Sequence, residues 1–122
     1  MSARNIDPIT LSTTWHAFQS IAKEMRHVID RTAQSYLIAQ LHDMAAGIWD
    51  ARARTVAVPE GPTSMFLSQH FSVEYILDKF GDDLHPGDVI VTNDPYHGQC
   101  NHLPDWGFFR PIFHEGELIF VA

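Results

Sequence analysis

The amino-acid sequence predicts a mixed α+β fold with a long N-terminal amphipathic helix, a second short helix and several short strands. Two observations predict it. Large side chains recur at steps of three and four residues behind Asp7-Pro8, and the rest of the chain alternates short apolar runs with turn signals. Because 122 residues suffice for one modest domain, residues 1–122 are predicted to be a single domain or a fragment of a larger fold.

The long helix is predicted from a stripe of side chains that fall on one helical face. Ser12 or Thr13 is expected to cap its start, and polar residues lie off the stripe. The stripe is predicted to be a seam that faces the core or a partner, rather than a ligand site. It consists of Leu11, Trp15, Phe18, Ala22, Met25, Ile29, Thr32 and Tyr36.

The middle of the chain is predicted to form a β-hairpin and then the second helix. Residues 46–49 and 55–58 are apolar and flank a polar stretch that suits a hairpin loop. The second helix is predicted over Ser72–Phe80, with Gly81 as its stop.

Short strands are predicted for the last third of the chain. Residues 89–91 form one strand, and the polar stretch 93–104 is expected to be irregular. Residues 107–113 and 118–121 are predicted to pair with each other. Since the last of these strands has no polar tail, we expect it to be an exposed edge that further polypeptide completes.

Composition excludes several classes of function. The net charge is −7, and the eight Lys and Arg residues form no run, which argues against binding to nucleic acid or to anionic lipid. No apolar run approaches the ~18 residues of a membrane span, and the N-terminus lacks the apolar region of a secretory signal. The single Cys100 cannot form an internal disulfide. A cytoplasmic location is therefore expected.

The residues that carry chemistry lie between Asn93 and Asp105. His102 and Asp105 are spaced three apart, and so are Asp94 and His97. Histidine and carboxylate side chains are common ligands of divalent first-row metals. On composition alone, a turn-rich connection explains this segment equally well. Cys100 is interpreted as a small buried residue rather than a nucleophile.

Five motifs, in order, resemble the N-terminal segment of B-type subunits in the hydantoinase B / 5-oxoprolinase family. They are DPITL, RTA, FGDDLHPGDV, NDPYHG and HLPD, of which the last two together are the most specific. The resemblance implies an ATP-dependent enzyme that opens a cyclic amide, in which an A-type partner subunit uses ATP. It equally admits the family's acetone and acetophenone carboxylases. A non-catalytic structural subunit is the third hypothesis.

The resemblance also implies the site residues. His102 and Asp105 of HLPD are the implied ligands of a divalent metal (Mn, Zn or Fe), completed by a later His beyond Ala122. Independently of the resemblance, His97 is a candidate acid or base, because it lies close in sequence to this pair and histidine works near neutral pH. The isolated chain is therefore expected to be inactive.

The sequence departs from the family pattern at two places that would affect the expected substrate pocket. Residues 98–101 replace the usual two glycines and a threonine and are one residue longer. A histidine that the family tends to carry before the second helix is absent, and His70 follows a little later. His70 is interpreted as a surface residue at the start of that helix.

Overall fold

The computed structural model describes residues 6–98 and 100–122. The predictions made for Met1–Asn5 and Gln99 lie outside the described residues. Helices α1 (Pro8–Thr32), α2 (Tyr36–Ala39) and α3 (Thr63–Phe80) accompany short strands, which confirms the α+β class. The strands are β1 (Ile48–Asp50), β2 (Thr55–Ala57), β3 (Ile90–Thr92), β4 (Gly107–Phe109), β5 (Pro111–His114) and β6 (Glu117–Val121).

Helix α1 confirms the long N-terminal helix and corrects its cap. Its N-cap is Asp7, whose carboxylate accepts from the backbone N of Thr10 at 2.9 Å, so the predicted cap at Ser12 or Thr13 is wrong. Pro8 follows as the first helical residue, where its missing N–H costs nothing. The predicted stripe breaks before Tyr36, because the chain is extended at Ala33 and α2 is a separate helix.

A four-stranded antiparallel sheet lies between α1 and α3. Its strand order is β2-β1-β6-β5, and β1 and β2 form the predicted hairpin. Successive residues of a strand point to opposite faces. Accordingly, Ile48 packs in the cluster of α1, whereas Trp49 packs in the cluster of α3. The two helices thus cover opposite faces of one sheet.

Only the middle of α1 is packed on the sheet. Ala22 is fully buried against Ile48 and Ala57, with Phe18 and Met25 partly buried beside it. The stripe residues nearer the helix ends remain exposed, among them Leu11, Trp15 and Ile29. Only the central part of the predicted seam therefore contacts the core.

Helix α3 begins nine residues before the predicted start, at Thr63 rather than Ser72. Residues 63–71, which precede the predicted start, are therefore helical as well. His70 consequently lies inside α3, half-buried, with its ring 3.8 Å from that of Phe71, and not at a helix start. The predicted stop is confirmed, since Gly81 caps α3 with a φ of 45° that favours glycine.

The predicted strand over residues 107–113 is two strands that join different sheets. β4 pairs with β3 in a two-stranded ribbon, whereas β5 pairs with β6 as predicted. The chain changes partner at Arg110, which exchanges backbone hydrogen bonds with Ala122 at 2.8 and 2.9 Å. The sequence pattern predicts the partner of β5 but not that of β4.

The expectation of an exposed edge at β6 is wrong. β6 lies between β1 and β5 and is paired on both sides, and Val121 is 1% exposed. Over the described ranges, no helix is both long enough and apolar enough to cross a membrane.

Candidate functional site

The candidate site is the loop between β3 and β4, defined here as the site loop, residues 93–106. The two strands pair antiparallel, with Thr92 opposite Gly107, so both ends of the loop are held together. The side-chain amide of Asn93 donates to the carbonyl of Leu103 at 3.0 Å. This hydrogen bond links the first residue of the site loop to a residue near the end of the loop.

Close packing holds the first half of the site loop. The backbone N of Asp94 donates to Thr92 Oγ1 at 3.2 Å, and the backbone N of Cys100 donates to the carbonyl of Asp94 at 3.2 Å. Gly98 is buried where a β-carbon would overlap Thr92 Oγ1. Glycine is needed at 98 for this close approach rather than for backbone freedom.

His102 and Asp105 lie together, as their spacing predicts. A tight turn, with the backbone N of Asp105 donating to the carbonyl of His102 at 3.0 Å, brings His102 Nε2 within 2.9 Å of Asp105 Oδ1. The other carboxylate oxygen of Asp105 accepts from Asn101 Nδ2 at 3.4 Å. His102 is exposed and Asp105 half-buried, so the pair is open to solvent and to further ligands.

Asp94 and His97 form a second pair in the same loop. Asp94 Oδ2 lies 3.1 Å from His97 Nδ1, and Asp94 Oδ1 accepts from the backbone N of Tyr96 at 2.8 Å. The hydrogen bond from Tyr96 holds the pKa of Asp94 below its ordinary value, outweighing the opposing effect of desolvation. Asp94 is therefore ionised at neutral pH.

The two pairs remain separate. Within the described ranges no hydrogen bond or ion pair links His97 to His102 or Asp105. Those same ranges contain no cluster of three or more His, Cys, Asp or Glu that could hold a metal ion. Burial raises the pKa of the Cys100 thiol, which keeps it protonated and agrees with its interpretation as a packing residue.

A cleft of about 490 Å³ lies between α3 and His97, and sequence reasoning missed it. Its α3 wall consists of Phe71, Glu74, Tyr75 and Asp78. Glu74, Tyr75 and Asp78 recur at helical spacing inside the predicted helix Ser72–Phe80, so the sequence alone indicates that they share a face. What the sequence lacked was the position of the site loop against that face.

Comparison with known proteins gives a family match over almost the whole chain. A family profile described as hydantoinase B/oxoprolinase matches residues 7–122. The 5-oxoprolinase of Dictyostelium discoideum is 34% identical over 118 residues, covering 96% of this chain and 9% of that protein. The caprolactamase subunit beta of Pseudomonas jessenii is 29% identical over 116 residues, covering 94% of this chain and 20% of that subunit.

Solved structures share the fold. The crystal structure of the ATP-dependent caprolactamase from Pseudomonas jessenii superposes with a TM-score of 0.81 at 26% identity, covering 97% of this chain and 20% of that one. A nucleotide-free acetone carboxylase superposes with a TM-score of 0.85 at 20% identity, covering 98% of this chain and 16% of that one, which shows likeness of fold alone. The chain thus spans a fifth or less of the length of these relatives.

Proposed function

The chain belongs to the hydantoinase B/oxoprolinase family, and we propose that it supplies part of the active site of an ATP-dependent enzyme that opens a cyclic amide. The observation that carries the proposal is the His102–Asp105 pair, whose ring nitrogen and carboxylate oxygen converge to 2.9 Å on the site loop. Two relatives support the substrate class by name, since 5-oxoproline and caprolactam are both cyclic amides.

The donor set of the pair fits part of a divalent-metal site. An imidazole nitrogen and a carboxylate oxygen suit Mn, Zn or Fe, and both belong to one tight turn. Catalytic sites of this kind use three protein ligands, so His102 and Asp105 would hold the ion together with a ligand from outside the described residues. When bound, the metal would polarise a carbonyl or position water.

His97 is proposed to move the proton that ring opening requires. Water adds to the amide carbon, the carbon–nitrogen bond breaks, and the departing nitrogen must gain a proton. His97 stands on the same loop as the metal pair and borders the cleft with α3. A histidine held by a carboxylate is the usual arrangement for such a transfer.

A partner subunit is proposed to use the ATP. Transfer of the terminal phosphoryl group of ATP to the amide oxygen releases ADP and makes the amide carbon more reactive towards water, and the group leaves as inorganic phosphate when the ring has opened. The Pseudomonas jessenii relative is an ATP-dependent enzyme with a subunit named beta, which supports a heteromeric assembly here. The isolated chain is accordingly expected to be inactive. We also propose a cytoplasmic location, which the free thiol of Cys100 suits.

An ATP-dependent ketone carboxylase is the second candidate function. It rests on the family resemblance, which admits ketone carboxylases as well as enzymes that open cyclic amides; the acetone carboxylase shares the fold. The metal pair would serve there as well, with a carbon nucleophile attacking activated bicarbonate in place of water attacking an amide.

The deciding experiment uses the chain within its assembled complex, containing the partner subunit and the rest of the B-type polypeptide. ATP-dependent opening of 5-oxoproline, hydantoin or caprolactam is the expected result. Ketone-dependent fixation of bicarbonate would establish the carboxylase instead. Absence of both reactions, together with absence of bound metal, would leave a structural subunit and refute both proposals.

A further inference from the structure

Asp94 connects two parts of the site loop through its carboxylate. One oxygen accepts from the backbone N of Tyr96 at 2.8 Å, and the other lies 3.1 Å from His97 Nδ1. With a different partner on each oxygen, the carboxylate has one preferred orientation. Loop shape alone would require only the first of these contacts.

The ionised state of Asp94 decides which nitrogen of His97 carries the proton. A carboxylate accepts hydrogen bonds and cannot donate them, so neutral His97 must donate from Nδ1. The tautomer of a histidine is set by the bond that one ring nitrogen makes. The lone pair of His97 is then on Nε2, at the far edge of the ring from Asp94.

The ring borders the cleft on α3. Phe71 offers an apolar wall there, while the carboxylates of Glu74 and Asp78 and the hydroxyl of Tyr75 offer polar groups. A ligand bound in this cleft with an N–H group would find hydrogen-bond acceptors on both sides, the α3 carboxylates and His97 Nε2.

We propose that Asp94 is the positioning residue of His97 and that His97 Nε2 exchanges a proton with the ring nitrogen of a substrate seated in the α3 cleft. The identity of the substrate rests on the proposed function, whereas the pairing of Asp94 with His97 does not. During ring opening the lone pair on Nε2 takes a proton from the attacking water, and Nε2 then passes that proton to the ring nitrogen as the carbon–nitrogen bond breaks.

Asp94→Ser separates positioning from loop shape. A serine hydroxyl can still accept from the backbone N of Tyr96, as it does in such turns, but it is too short to reach the His97 ring. Asp88→Ser is the matched control, because Asp88 also lies three residues from a histidine and accepts from the backbone N of His85 at 2.7 Å, outside the site loop.

Nuclear magnetic resonance of the chain labelled with ¹⁵N-histidine tests the pairing directly, with His97→Gln assigning the signal. We expect His97 to carry its proton on Nδ1 in the unaltered chain and to shift towards the Nε2–H form in Asp94→Ser, but not in Asp88→Ser. The proposal is overturned if His97 is already in the Nε2–H form in the unaltered chain, or if its tautomer is the same in Asp94→Ser.

Kinetics of the assembled enzyme test the consequence. General acid–base catalysis typically contributes about 10²–10⁴-fold in rate. We expect Asp94→Ser to lower kcat by at least tenfold with KM little changed, and to add nothing once His97→Gln is present. Equal kcat in Asp94→Ser and the unaltered enzyme would refute positioning. An unaltered enzyme that opens no cyclic amide would refute the proposed function and leave the tautomer result standing.

Discussion

Gly98→Ala tests whether the site loop depends on the close contact with Thr92. A β-carbon at position 98 would overlap Thr92 Oγ1 and come within 3.0 Å of the carbonyl oxygen of Asp94. Overpacking of this kind costs about 1–3 kcal/mol. Displacing the hydroxyl would also remove its hydrogen bond from Asp94 N, worth about 0.5–1.5 kcal/mol. We therefore expect the free energy of unfolding to fall by about 1.5–4.5 kcal/mol.

The assay is urea unfolding of the single and double variants. Thr92→Ala should relieve much of the overlap, so the double variant should cost less than the two single changes summed. Thr92→Ser keeps the clashing oxygen and should not rescue Gly98→Ala. Strict additivity of the costs, or equal rescue by alanine and serine, would show that position 98 does not contact the Thr92 hydroxyl.

Three further predictions concern other parts of the molecule. Ile76→Ala removes a side chain that is 1% exposed in the α3 core and should lower the free energy of unfolding by about 2–5 kcal/mol in urea; a loss under ~1 kcal/mol would show that the core collapses around the gap. Desolvation opposes ionisation of Asp50, but hydrogen bonds from Arg54 outweigh desolvation and lower the pKa of Asp50. The ionised Asp50 therefore stabilises the fold fully above the ordinary aspartate pKa of about 3.9, and this stabilisation is lost as pH falls below that value. Asp50→Asn should reduce this acid sensitivity in thermal melts between pH 2 and 6, and an unchanged pH dependence would count against the pairing. Asp94→Asn should retain most of the bound metal in elemental analysis, since Asp94 is not proposed as a ligand; a large loss with unchanged folding would make it one.

Much of the fold is readable from the sequence because its signals are local. The long run of three- and four-residue steps predicts α1, and the polar residues between two apolar runs predict the β1–β2 hairpin. Gly81 ends α3 because its positive φ is costly for other residues. Each of these signals acts within a few residues.

The errors in strand arrangement concern long-range pairing, whereas the wrong N-cap of α1 and the late predicted start of α3 are local errors. Nothing local shows that residues 107–109 pair with β3 while the residues after Arg110 pair with β6. Nor does the apolar character of β6 reveal that it lies in the middle of a sheet. Strand partners depend on how the whole chain folds back, and pattern within a strand is the same for an edge and a centre.

For the candidate site too, contacts between residues close in sequence are predictable and those between distant elements are not. Three-residue spacing correctly predicts that His102 meets Asp105 and that Asp94 meets His97, because a tight turn brings such residues together. The cleft beside His97 depends on where α3 packs, so spacing could not predict it.

Metal content of His102→Ala in the assembled complex tests whether His102 and Asp105 hold a metal ion. His85→Ala is the control, since His85 is exposed and also lies three residues before an aspartate, at 3.8 Å from Asp88. Elemental analysis and ATP-dependent turnover are measured on the same folded samples. We expect His102→Ala to lose metal and activity together, while His85→Ala keeps both. Full metal occupancy in folded His102→Ala would contradict it.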